Sequence, residues 1–211
     1  MSNADRALAS AIAVLRDVAA SKTLTAYAKN PRIAARLGAD WRVALGFGLH
    51  VGWAIEGAIG SRHKVDPSYL SPHVNLAARL ESATKLYGVQ VLMSDAFVSA
   101  LLVEEHHEAV RQIDCVRLKG SVQPMGLFTY DDPDSVRASL GSVSYAAYQK
   151  AFAEGLESYL QGDWPDAAER LGACARDWPA DAPAKGLVTY MATYQNVAPE
   201  GWAGVRDLME K

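Results

Sequence analysis

The sequence predicts an α+β fold followed by an all-helical extension, and three stretches carry that prediction. Between Val43 and Ile55 every odd position is large and apolar, the two-residue period of a strand. From Val74 to Tyr87 the period is helical, with Ser71 and Pro72 before it and Gly88 after it, the residues that start and stop helices. Beyond Ser144 the two-residue period disappears, and Tyr148, Phe152, Leu156 and Tyr159 recur at helical spacing. The chain divides on this reading into N-terminal helices (1–41), a mixed domain (42–131), a linker (132–144) and a helical extension (145–211).

In order along the chain, Ala4 to Leu37 alternates Ala, Leu, Ile and Val with Arg, Asp and Lys, which predicts one or two packing helices broken near Asn30 and Pro31. The strand that follows has one bulky face, Val43, Leu45, Phe47, Leu49, Val51, Trp53 and Ile55. Its other face is nearly bare: Ala44, Gly46, Gly48, His50, Gly52 and Ala54, ending at Glu56. Glycine weakens a strand unless something comes close to it, so a helix packed against the glycines is expected.

The capped helix carries two stripes. Leu76, Leu80, Ala83 and Tyr87 form the apolar one, while Asn75, Arg79 and Ser82 share a polar face. That polar face starts in the first turns, where the helix dipole favours an anion. Val89 to Met93 then reads as a short buried strand and Asp95 to Leu102 as a short helix capped by Ser94. Val110 to Leu118 and Pro124 to Tyr130 read as two strands around a turn of Lys119, Gly120 and Ser121.

Asp131, Asp132, Pro133 and Asp134 open the expected linker. After it come a first helix, a Gly162-Asp163 turn into a helix over Trp164 to Ala175, a third over Pro183 to Tyr194, and a short terminal helix between Pro199 and Lys211 carrying Trp202. The stripe of Tyr148, Phe152 and Tyr159 is too apolar for solvent, so the extension should dock on the preceding domain.

Composition excludes several functions. With 21 Lys plus Arg against 24 Asp plus Glu, the net charge of -3 offers no footprint for a nucleic-acid backbone. Cys115 and Cys174 stand alone, which indicates neither a disulfide framework nor a zinc site and points to a reducing, cytoplasmic setting. Val43 to Gly60 carries His50 and Glu56 and falls short of a membrane span, so membrane attachment is expected only through segments absent from this sequence. Glu104, Glu105, His106, His107 and Glu108 read as a solvated surface, because adjacent side chains do not converge on one ion. Trp164, Trp178 and Trp202 read as core or docking residues, and His50 as a satisfied core histidine.

The segments "GFGLHVGWAIEGAIGS", "KVDPSYLSPHVNLAARLESATKLYG" and "VRLKGSVQPMGLFTY" resemble the second half of a class III adenylyl or guanylyl cyclase domain, and their wording resembles the large multi-domain cyclases of protists and algae. The most specific match is Val-Asn-x-Ala-x-Arg-Leu-Glu, at Val74, Asn75, Ala77, Arg79, Leu80 and Glu81, and the likeness runs from about Gly46 to Tyr130. It implies a ferredoxin-like half-domain, an antiparallel-rich sheet with helices on one face, working with a complementary half-domain or as a homodimer. The implied reaction converts ATP or GTP to a cyclic nucleotide and pyrophosphate with Mg²⁺ or Mn²⁺.

By position in the motif, Asn75 and Arg79 match the family's transition-state pair and Lys119 its phosphate-binding lysine. Ser68 and Asp66 fall in its nucleotide-binding segment, where Ser68 takes the base-selecting position. Such assignments suit the chemistry, since an Arg fork beside an Asn donor can stabilise charge on a transferring phosphoryl group. The family's metal-binding aspartates and its purine-selecting lysine are not found in this sequence, so no metal ligand is assigned and the isolated chain is expected to be inactive. Gly162, Asp163 and Trp164 between two helices are similar to a tetratricopeptide unit. Two other functions compete, an inert cyclase-like domain used for pairing and regulation, and a helical-repeat interaction module.

Overall fold

The computed structural model describes residues 1–38, 41–119, 121, 123–141 and 143–208. Gly120 of the expected turn and the last three residues of the expected terminal helix lie outside the described residues. The N-terminal region forms three helices, α1 (Asn3–Ala20), α2 (Lys22–Ala28) and α3 (Pro31–Leu37). The predicted break is the start of α3, because the Asn30 side chain accepts from the Arg32 N–H and Pro31 occupies the first turn. At the head of α1 Ser2 and Asp5 satisfy each other's backbone N–H groups.

The remaining elements are β1 (Phe47–Leu49), β2 (Ile55–Gly60), β3 (Val65–Leu70), α4 (Pro72–Tyr87), β4 (Val91–Ser94), α5 (Asp95–Val98), α6 (Glu104–Glu108), β5 (Val110–Leu118) and β6 (Met125–Tyr130). They continue with α7 (Pro133–Ser139), α8 (Tyr145–Gln161), α9 (Trp164–Asp177), α10 (Ala182–Thr193) and β7 (Arg206–Leu208). The main sheet has the order β1-β4-β6-β5-β7, and β2 pairs with β3 in a separate antiparallel ribbon. Within the main sheet β4 and β5 run antiparallel to β6, while β1 on β4 and β7 on β5 are parallel.

The long strand expected from Val43 to Ile55 is therefore divided. Its ladder runs only from Phe47 opposite Val91 to Leu49 opposite Met93. The partner stops there because Ser94, whose hydroxyl accepts from the Phe97 N–H, turns the chain into α5. Phe47 and Leu49 pack in the core, whereas Val51, Trp53 and Ile55 beyond the ladder are exposed.

Helices cover both faces of the sheet rather than the one face expected. Every residue of β4 is buried, so its side chains need cover above and below. Val91 and Met93 meet Leu8 and Ile12 of α1 with Phe97 of α5, while Leu92 joins Leu80 of α4 on the opposite side. That second core continues without a break into Tyr148, Phe152 and Tyr159 of α8 and Trp164 of α9. The extension is thus docked as expected, each large side chain contributing about 1.5–3 kcal/mol by leaving water.

Three other expectations change. The expected linker contains α7, because Asp132 accepts from the Ser135 N–H, Pro133 follows it, and Val136 and Leu140 are buried. The expected terminal helix is replaced by β7. Gly201 and Gly204 hold φ of 77° and 74°, left-handed values that end a helix. The acidic and histidine run is also only partly solvated, since His106 Nδ1 lies 2.9 Å from the fully buried Asp5 carboxylate and His107 Nε2 lies 3.1 Å from the Leu101 carbonyl. No described helix is long and apolar enough to cross a membrane.

A buried ion cluster joins the extension to the sheet. Arg111 of β5 donates to Asp131 at 2.7 Å and to Asp181 at 2.9 Å, and the three are 5%, 6% and 2% exposed. Tyr145 and Tyr148 of α8 donate their hydroxyls to Asp131 and Asp181 respectively, and the guanidinium lies 4.1 Å over the Phe152 ring.

A second buried carboxyl is less well compensated. Asp114 sits at the bulge of β5, accepts from the Tyr87 hydroxyl at 2.6 Å, and has its nearest cation, Arg206, at 3.9 Å. Burial pushes it up to about 6 from an ordinary 3.8, against the lowering effects of Tyr87, Arg206 and the Cys115 N–H. The folded chain keeps this proton over a range in which the unfolded chain has lost it. Stability should therefore fall as pH rises from 4 to 6, by about 3 kcal/mol from this group. Urea unfolding of wild type and Asp114→Asn at pH 4 and pH 6.5 checks it, and the asparagine variant should lose that part of the slope.

Candidate functional site

The bare strand face seen in the sequence is where the site is anchored. A Cβ at Gly48 would overlap the Ala77 carbonyl oxygen and the Glu81 nitrogen of α4, one at Gly52 would overlap the His73 ring, and one at Gly46 the Thr84 hydroxyl. α4 thus packs directly on the glycines, with its backbone at Gly48 and its side chains at Gly46 and Gly52, as expected from their spacing. Gly48→Ala should consequently push α4 off β1. It should cost about 1–3 kcal/mol, as overpacking does, and distort the polar stripe, which a urea titration together with an anion-binding titration would show.

The start of α4 is pinned separately. Ser71 caps it by accepting from the His73 N–H at 2.9 Å. The His73 ring is held at 2.8 Å by His50, whose other nitrogen lies 2.7 Å from the Ser94 hydroxyl. The Ser94 hydroxyl, which accepts from the Phe97 N–H, still has its own proton to give to His50 Nδ1, and in that tautomer His50 Nε2–H donates to His73 Nδ1. Burial, and then the neighbouring His73, hold the His50 imidazole below its ordinary value. His50 is therefore a satisfied histidine with a mechanical role, linking β1, β4 and the first turn of α4.

On the outer side of α4, Asn75, Arg79 and Lys119 line one open cleft of about 690 Å³. Lys119 comes from the residue after β5, and the N-terminal turn of α4 contributes Ser71, Pro72 and Val74. The described lining contains both cations and no carboxylate. Neither Arg79 nor Lys119 forms a salt bridge among the described residues, so Arg79 is not the surface ion pair usual for a helical arginine. Ser82, on the same stripe, lines a smaller adjoining cleft of about 370 Å³ with Arg79 and Lys119.

Ser68 and Asp66 are placed elsewhere. Both lie on β3, Ser68 opposite Gly57 and Asp66 opposite Ile59, and Asp66 pairs with Lys64 at 2.9 Å. Neither lines the cleft, and nor does Glu56. Instead the ribbon contributes Ile55, Tyr69 and Leu70 to the rim, with Trp53 from the segment just before it. Trp53 and Tyr69 are 60% and 57% exposed. The sequence signalled Trp53 and Ile55 only as apolar positions of one unbroken strand, and gave Tyr69 and Leu70 no reading of their own.

The donor set suits an anion and does not suit a divalent cation. Mg²⁺ and Mn²⁺ take oxygen ligands, chiefly carboxylates, and the described lining offers none. Among the described residues no three His, Cys, Asp or Glu side chains gather as a metal site.

No family model matches the chain. In sequence it is similar to adenylate cyclases over part of its length. It is 31% identical over 88 residues to one from Anabaena cylindrica, covering 41% of this chain and 17% of that protein. It is 23% identical over 155 residues to the terminal-differentiation-specific adenylate cyclase of Dictyostelium discoideum, covering 74% of this chain and 7% of that one. Adenylate cyclase 1 of Rhizobium meliloti is 40% identical over 53 residues, 25% of this chain and 8% of that protein. The chain therefore spans less than a fifth of each of these relatives. Among solved structures, a bacterial light-regulated adenylyl cyclase aligns with 25% identity and a TM-score of 0.34, over 40% of this chain and 23% of that one.

Proposed function

We propose that the cleft is one side of a nucleotide cyclase site, binding the triphosphate of ATP, with Asn75 and Arg79 at the reacting phosphoryl group and Lys119 along the triphosphate. One observation carries the reading: two cations that form no salt bridge among the described residues share with an amide a cleft whose described lining has no carboxylate. The first turn of α4 adds a favourable dipole for an anion, about 0.3–1 kcal/mol. The partial similarity to adenylate cyclases is the reason to name ATP before GTP, and a cyclase half-domain with C-terminal helices before other anion-binding folds.

The site needs a second face. Across water a cation and a phosphate oxygen 4 Å apart gain only about 1 kcal/mol, against about 4 at the screening of a partly closed protein site. The cleft is open, and its rim of Trp53, Ile55, Tyr69 and Leu70 is apolar and exposed. A complementary half-domain covering that rim would exclude water and bring the carboxylates for Mg²⁺ or Mn²⁺ that this lining lacks, whereas a second copy of this chain would only exclude water. The helical-repeat alternative is disfavoured because Phe152, Leu156, Tyr159, Trp164 and Leu171 are already spent in the shared core.

The purified chain should bind ATP and form no cyclic nucleotide with either metal, and mixing it with an aspartate-bearing cyclase half should start production. Binding without any production by the mixture would favour the inert pairing domain. Steady production by the pure chain would instead mean that carboxylates outside the cleft, such as Glu56 or Asp66, hold the metals.

A further inference from the structure

The C-terminal strand ends beside the cations of the cleft, a placement that the cyclase reading does not use. β7 pairs with the last three residues of β5, Val116 opposite Arg206, Arg117 opposite Asp207 and Leu118 opposite Leu208. Lys119 is the next residue of β5's chain, and Leu208 lines the smaller cleft together with Arg79, Ser82, Leu118 and Lys119. Without β7 this end of β5 would be a bare edge with unpaired backbone groups.

The segment leading to β7 is fastened to the extension at several points. The Trp202 indole N–H donates to the Tyr159 carbonyl at 3.1 Å, and its ring lies 5.3 Å and 5.2 Å from those of Tyr159 and Trp164. Gly204, at φ of 74°, passes so close to α8 that a Cβ there would sit 2.8 Å from the Leu160 oxygen. Arg206 lies 4.0 Å over the Tyr190 ring of α10 and 3.9 Å from Asp114, which in turn holds Tyr87 at the end of α4. One short segment thus touches α8, α10, β5 and, through Asp114, the helix that carries Asn75 and Arg79.

We propose that β7 is a positioning strap by which the helical extension fixes Lys119 beside Arg79 and so sets the anion affinity of the cleft. The physical effect is preorganisation. A lysine that follows a frayed strand end must lose more backbone freedom when it meets a phosphate than one that follows a paired strand end, which is already anchored at the residue before it. The proposal rests on the anion-binding reading of the cleft. It makes Gly204 and Leu208 positioning residues that touch no ligand themselves.

The test uses the full chain and two substitutions that leave charge unchanged, Gly204→Val and Leu208→Ser, with Leu208→Met as the conservative control. Amide hydrogen exchange at Arg117 to Lys119 reads the strap, and calorimetric titration with inorganic tripolyphosphate reads the cleft. Both disruptive variants should raise exchange at those amides about tenfold or more while leaving α8 and α9 protected. They should weaken tripolyphosphate about tenfold, with Leu208→Met close to wild type. Wild-type exchange in both variants would overturn the strap, and raised exchange with unchanged affinity would overturn its coupling to the cleft. A wild-type chain that fails to bind tripolyphosphate would sink the anion-binding reading instead, with exchange still deciding whether β7 holds the end of β5.

Discussion

Arg111→Ala should lower the unfolding free energy by about 3–5 kcal/mol, the cost of breaking a buried pair from one side. For a chain of this size that corresponds to a drop in Tm of roughly 6–20 °C. The guanidinium is the only cation hydrogen-bonded to Asp131 and Asp181 among the described residues. Removing it leaves two carboxylates buried between β5, α8 and α10 with only the Tyr145 and Tyr148 hydroxyls to satisfy them. Loss of the cation stacked on Phe152 and near Trp178 adds to the cost.

The same variant should also loosen the extension, since the cluster is one of its main attachments to the sheet. Differential scanning calorimetry gives the midpoint, and limited proteolysis shows whether the segment from Tyr145 onward is released first. A triple replacement, Arg111→Met with Asp131→Asn and Asp181→Asn, separates charge from packing. Removing all the charges together should recover most of the stability, because replacing a buried ion cluster whole is often neutral. A wild-type midpoint for Arg111→Ala would mean that the aromatic packing alone holds the extension.

The capped helix, the glycine face and the aromatic stripe of the extension were legible in the sequence because each is a local rule. Ser71, Pro72 and Gly88 fix the ends of α4 without reference to the rest of the fold, and Gly46, Gly48 and Gly52 mark the close approach of α4 and its side chains. The length of β1 was not legible, because it is set by where a distant partner stops, at Ser94. Nor was β7, whose pairing with β5 lies about ninety residues away in sequence. The Arg111 cluster was invisible for the same reason, its members being spread from β5 to the cap of α10.

The site follows the same division. Asn75 and Arg79 share a helix face at i, i+4, and the structure adds Lys119 to that face. Ser68 and Asp66 were assigned by the resemblance, and the ribbon sets them on β3 outside the described lining of the cleft. Trp53 and Tyr69 reach its rim because the same ribbon folds back in register, with Ile55 opposite Leu70, a fact of pairing rather than of period.

Arg79→Ala in a site completed by its second half should reduce kcat by about a hundred- to a thousand-fold, the usual loss on removing a donor aimed at developing charge. KM should change little, because an interaction made chiefly in the transition state contributes little to ground-state binding. The fold should tolerate the change. Arg79 is half-buried and makes no salt bridge among the described residues, which places the stability effect within about 0.5 kcal/mol. Lys119→Ala should behave differently, raising KM as well, since a lysine along the triphosphate is engaged before and during reaction. Arg79→Lys distinguishes charge from shape: an ammonium keeps the charge but loses the planar fork that meets two phosphate oxygens at once, so it should recover only a small part of the rate. Steady-state kinetics on the three variants, with circular dichroism as the control for folding, decide the matter. An unchanged kcat in Arg79→Ala would remove the arginine from the chemistry and leave the cleft as a binding surface, which is the behaviour of a pairing or regulatory domain.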